Sequence, residues 1–254
     1  MPFFNQGNVN LYYEDTGLKS GATLLLIPGG GLNSKISYFN DRSAFNPINE
    51  FKSKFRCISM DLRNANNGKS TGPLDIENPW DSHTHDQLNL MNHLNIKKFS
   101  VMGFCIGGPL IWNLLKFASN RIDAAVIVQP SGYRAEHPDL FYNNNITGCG
   151  PTLCKDNPEI TPSMVANYLT KMYKNNPDFV FTVTRDFVRS CQKPILILPD
   201  DVLSHPYQVA METAYLAPQS EVSIFPWKDS NLRIALAVRQ IHSFLRAHVL
   251  TRSS

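Results

Sequence analysis

The chain has 254 residues, of which 43% are hydrophobic and 18% charged, enough apolar content for one large folded domain and too much for a disordered chain. Its formal net charge of +3 is thinly spread, with no long run of Lys and Arg, which argues against nucleic acid or an anionic membrane surface as partner. No apolar stretch approaches the length of a membrane span.

In chain order, residues 9–14 (VNLYYE) alternate and predict an edge strand. Residues 23–28 (TLLLIP) form a continuous apolar run ended by Pro28-Gly29-Gly30-Gly31. A helix is expected over 36–52, with Pro47 as its weak point, and a strand over 56–61 ending in Asp61. Residues 81–95 carry Leu88, Met91 and Leu94 at helical spacing. Strands follow at 99–104, 124–129, 194–199 and 220–225, with helices at 107–119, 207–217 and 231–249. Apolar runs without alternation are buried on both faces, as in a parallel sheet covered by helices. Strands alternating with helices therefore predict a mostly parallel, doubly wound α/β sheet. Residues 133–192 are too long for a simple crossover and contain helical patches at 162–174 and 177–190. They are read as a small helical lid inserted into a core formed by 1–132 and 193–254.

Five cysteines at irregular spacing (Cys57, Cys105, Cys149, Cys154 and Cys191), with no export signal at the N-terminus, are expected to be reduced thiols of a cytoplasmic protein. Cys149 and Cys154 lack a second pair and a nearby histidine, so no metal site is expected. The glycines at 103–108 do not match the dinucleotide-binding pattern, so no cofactor is expected.

The chemistry concentrates at Gly103-Phe104-Cys105-Ile106-Gly107-Gly108, a buried strand running through a tight bend into a helix. Glycines on both sides relieve crowding where the chain turns, and the helix start presents N–H groups to an anion. This G-x-C-x-G segment resembles the nucleophile elbow of the α/β-hydrolase family, with Cys105 where a serine is usual. The resemblance extends to the glycine loop after the third strand. It extends also to Asp61-Leu62-Arg63-Asn64-Ala65-Asn66-Asn67-Gly68-Lys69-Ser70, which looks like the family's D-x-R-G-x-G-x-S segment with glycines missing. It implies a cysteine nucleophile at Cys105, as in the dienelactone hydrolases of the family. It also implies an oxyanion hole from the N–H groups of Ile106 and of Gly30 or Gly31.

The resemblance places the orienting acid after the strand at 194–199, where Asp201 is the first choice and Asp200 the second. It places the histidine after the last strand, but Pro226-Trp227-Lys228-Asp229 stands there. His205, in the acid loop itself, is the replacement base suggested by position, against its reading as a helix-start residue. Phe104, Trp227 and Lys228 are the expected substrate contacts, although Phe104 and Ile106 also fit plain packing and Lys228 a solvated site. The functions left open are three. The first is a hydrolase or acyltransferase acting on a small-molecule ester, thioester, lactone or similar activated carbonyl. The second is a hydrolase-fold protein that binds a small molecule without turnover. The third is a carbon–carbon bond hydrolase or lyase.

Overall fold

The structure is a computed structural model, and it describes residues 2–18 and 21–249. The outer ends of the expected core, Met1 and residues 250–254, therefore lie outside the described residues, as do 19 and 20. Eight strands form one sheet: β1 (Phe3–Gln6), β2 (Val9–Asp15), β3 (Ala22–Ile27), β4 (Phe55–Met60), β5 (Phe99–Phe104), β6 (Ile122–Val128), β7 (Ile195–Leu198) and β8 (Ser220–Val222). Their order is β1-β2-β4-β3-β5-β6-β7-β8. The first two strands run antiparallel and all later pairings are parallel, so the sheet is the mostly parallel one expected.

The central strands are buried on both faces, and the two-residue period of a strand sorts their side chains into two cores. Leu25, Ile27, Ile58, Val101, Ile127 and Ile197 face one side, where α3 (Pro79–His93), α4 (Gly107–Ala118) and α9 (Tyr207–Leu216) pack. Leu24, Leu26, Met102, Phe104, Val126 and Leu198 face the other, against α10 (Asn231–Val249). Every strand of this parallel set ends at the same edge, where the loops that can carry chemistry collect.

The helix expected over 36–52 is instead two short ones, α1 (Tyr38–Asp41) and α2 (Pro47–Phe51). Pro47 cannot continue a helix but suits its first turn, and Asn46 caps it by accepting from the Asn49 N–H at 3.1 Å. The last strand is shorter than expected and stops at Val222. Between β6 and β7 lie α5 (Leu140–Gly148), α6 (Gly150–Asp156), α7 (Pro162–Tyr173) and α8 (Arg185–Ser190). The helix expected over 177–190 forms only in its second half, after Thr184 caps α8 through the Phe187 N–H. This insert shares the α3–α4 core through Val165, Leu169 and Met172. Polar ties fix it as well: Trp80 Nε1 donates to the Met172 carbonyl (3.0 Å), and Leu32 N–H donates to Asn145 Oδ1 (3.3 Å).

Candidate active site

The bend between β5 and α4 holds Cys105 at φ +55°, a left-handed conformation that costs a non-glycine residue energy. Three hydrogen bonds keep it there. Cys105 N–H donates to Val128 O, while Cys105 O accepts from the N–H groups of Ser131 and Gly108, all at 3.0 Å. A Cβ at Gly103 would lie 2.8 Å from the Gly107 carbonyl oxygen, so only glycine lets the helix start this close to the strand. Cys105 is half-buried, whereas Cys57, Cys149 and Cys191 are buried.

Three groups converge on the Cys105 sulfur. The Ser131 hydroxyl lies 3.2 Å away. The Gly30 N–H, in a residue at φ 111°, and the His205 imidazole also interact with the thiolate. Burial alone would raise the thiol, but His205, with Ser131 and Gly30, brings it down to about 7. His205 Nδ1 sits 3.0 Å from Asp200 Oδ2. Among the described residues its buried Nε2 has no hydrogen-bond partner, and the imidazole acts on the Cys105 sulfur through its charge. Burial disfavours the imidazolium, yet Asp200 and the Cys105 thiolate outweigh it and push His205 up to about 9.

Asp200 is 6% exposed and takes a second cation on the same oxygen, Lys228 Nζ at 2.6 Å. Burial would raise this carboxyl, but His205 and Lys228 hold it down at about 2. Lys228 also donates to Gln129 Oε1 at 3.1 Å. Gln129, itself left-handed at φ +42°, reaches the Tyr38 hydroxyl at 3.5 Å. Burial and the Cys105 thiolate raise Tyr38 to about 12, so its hydroxyl stays protonated. A continuous line of polar groups thus runs from Tyr38 through Gln129, Lys228, Asp200 and His205 to Cys105 and Ser131.

The structure brings Cys105, His205 and Gly30 together and parts them from several other sequence expectations. The carboxylate on His205 is Asp200 and not Asp201, which is exposed. Phe104 falls on the α10 face by strand alternation. It packs edge-on against Phe39 and Phe45, each at 5.6 Å, away from the sulfur. Trp227 is 1% exposed, donates Nε1 to the Pro199 carbonyl at 2.8 Å and packs on Phe45, so it is core. Lys228 reaches the site, but as a partner of Asp200. Gly31, at φ +59°, is packed against Asn145 of the insert, and Ile106 begins α4 with helical backbone and a buried side chain. Sequence reasoning missed Tyr38, Gln129 and Ser131. The last two stand just after β6, and that position at the carboxyl edge of the sheet was the available signal. Among the described residues, no group of His, Cys, Asp and Glu could hold a metal ion, and no helix is long and apolar enough to cross a membrane.

The comparisons agree with this architecture. Bacillus subtilis carboxylesterase YbfK is 27% identical over 135 residues, 52% of this chain and 43% of that protein. The chain thus spans less than half the length of this relative in the match. The enol-lactonase from Burkholderia xenovorans superposes with a TM-score of 0.71 at 16% identity, covering 96% of this chain and 99% of that one. A meta-cleavage product hydrolase from Pseudomonas fluorescens gives 0.67 at 17%, covering 94% and 95%. Naproxen esterase from Bacillus subtilis gives 0.66 at 17%, covering 96% and 90%. At such identities these likenesses concern the fold alone. Residues 22–157, more than half of the chain, match the family model described as alpha/beta hydrolase fold, and the chain belongs to that family.

Proposed function

We propose that this hydrolase acts on an ester, thioester or lactone of a small molecule through Cys105 as nucleophile, with His205 as base and Asp200 as its orienting acid. The observation that carries the reading is His205, set on Asp200 Oδ2 at 3.0 Å with its buried Nε2 left over and its charge acting on Cys105. The thiolate attacks the carbonyl carbon, and the carbonyl electron pair moves onto oxygen. The N–H groups of Gly30 and Ile106 receive that charge. The tetrahedral species collapses, breaking the bond to the leaving group, which takes the proton from His205 Nε2. A thioester to Cys105 remains. Water then attacks the thioester, gives its proton to His205 and expels the thiolate. Another acceptor in place of water would make the same intermediate an acyltransferase. The insert 133–192 serves as a lid, since Asn145 ties it to the glycine loop beside the sulfur.

The test is intact-protein mass spectrometry after brief exposure to p-nitrophenyl acetate. The expected result is one added acetyl group on Cys105, absent in Cys105→Ala and cleared with time. Nitrophenol release at equal rates from both proteins refutes the reading. Ligand binding without acylation or turnover in either protein would favour a binding function instead.

A further inference from the structure

The loop after β4 has no part in the chemistry above, yet it is built with care. Asp61 accepts from the N–H groups of Ile36 (2.9 Å) and Lys69 (2.8 Å). Leu62 N–H donates to Ser34 O at 2.8 Å, and Asn66 N–H to Asn33 Oδ1 at 3.2 Å. Lys35 Nζ reaches the Asn66 carbonyl at 3.3 Å. Asn64 and Asn67 take left-handed φ values of 60° and 54°, which asparagine tolerates where glycine is absent. These bonds fix the loop against the segment after β3 as one wall.

Beside this wall is a cleft of about 330 Å³ whose lining includes Gly30, Lys35, Tyr38, Asp41, Arg42 and Asn67. That volume suits a small ligand. The cleft shares Gly30 with the reacting centre, since that residue lines it and its N–H interacts with the Cys105 sulfur. Its charged groups are two cations and one carboxylate. Arg42 is exposed, and among the described residues its guanidinium has no ion-pair partner. A guanidinium so placed matches a carboxylate in two-point geometry.

The strand order gives the direction of the substrate. The cleft belongs to the loops of β3 and β4, on one side of β5, whereas His205 follows β7 on the other side. A leaving group must lie toward His205 to take its proton, so the acyl chain extends the opposite way, into the cleft. We infer that the acyl group of the substrate ends in a carboxylate, received by Arg42 with Lys35 beside it. This inference rests on the carbonyl-hydrolase reading for its direction.

Two measurements test it. The first is calorimetric titration of the protein with glutarate. Arg42→Met is expected to weaken binding about tenfold, as for loss of one charged hydrogen-bonded contact, and Asp41→Asn to tighten it. The second is the ratio of kcat/KM for mono-p-nitrophenyl glutarate over p-nitrophenyl pentanoate, expected to exceed one and to fall about tenfold in Arg42→Met. No glutarate binding, or binding indifferent to both substitutions, overturns the inference. If both esters turn over equally and glutarate does not bind, the hydrolase reading stands and the anion site falls. If glutarate binding depends on Arg42 but neither ester acylates Cys105, the anion site stands and the hydrolase reading falls.

Discussion

Replacing His205 with alanine tests whether the imidazole holds the sulfur in its ionised form. With the thiol at about 7, half of Cys105 is thiolate at neutral pH. Without His205, burial is opposed only by Ser131 and the Gly30 N–H, and the thiol should return at least to its ordinary 9.0. A shift of about two units corresponds to about 2.7 kcal/mol of lost thiolate stabilisation. At pH 7 the thiolate fraction would fall from about one half to about one in a hundred, so alkylation by iodoacetamide should slow about 50-fold. The assay is the rate of carbamidomethylation of Cys105 against pH, followed by peptide mass spectrometry, with Cys105→Ala as the blank. Burial pushes Cys57 up to about 12 and Cys149 to about 11, so neither competes at neutral pH. An unchanged midpoint near pH 7 in His205→Ala refutes the pairing of imidazole and thiolate.

Asp200 lies below its ordinary 3.8 in the folded chain, so its contribution to stability is present above about pH 4 and is lost as pH falls through about 2. Asp200→Asn should therefore lower the urea midpoint at pH 7 and narrow its gap to wild type in acid; a constant gap down to pH 2 counts against this. Lys228→Met leaves Asp200 to His205 alone, so the imidazolium should become still more stable and the alkaline limb of the acylation rate should move up. An unmoved limb would mean that Lys228 does not share the carboxylate. Trp227→Ala should cost about 3–5 kcal/mol in urea unfolding, as for other large buried aromatics, while the Cys105 alkylation midpoint stays in place. Full stability with altered substrate preference would restore Trp227 to the binding surface.

Much of this architecture could be read from residue order. Continuous apolar runs at β3, β5 and β6 signal burial on both faces, and the glycines around Cys105 mark a bend that few other residues allow. What could not be read was which face of the sheet a side chain joins. Phe104 next to the sulfur and Trp227 after the last strand are both aromatic and both near the site in sequence. A phase of one residue along β5 sends Phe104 to the α10 side, and Trp227 is drawn inward by Phe45 and the Pro199 carbonyl. The choice between Asp200 and Asp201 fell in a loop past the end of β7, where no period tells which of two adjacent carboxylates turns inward. Gln129 and Ser131 were marked only by their place just after β6, and no local pattern announces Tyr38, which reaches the site from the segment after β3.

Asp200 and His205 stand five positions apart on a single loop, closed by a small antiparallel bridge in which Val202 and His205 exchange backbone hydrogen bonds at 3.3 and 3.0 Å. The proton-handling pair is therefore a self-contained cassette. Its internal spacing is set by a few neighbouring peptide units and does not wait on the docking of the final helix. From the described part of the terminal stretch, Lys228 meets the pair directly, as a modulator at the rim. Such a unit could be transplanted onto the corresponding loop of a serine-type relative, and the segment that ordinarily carries the histidine would be released to vary.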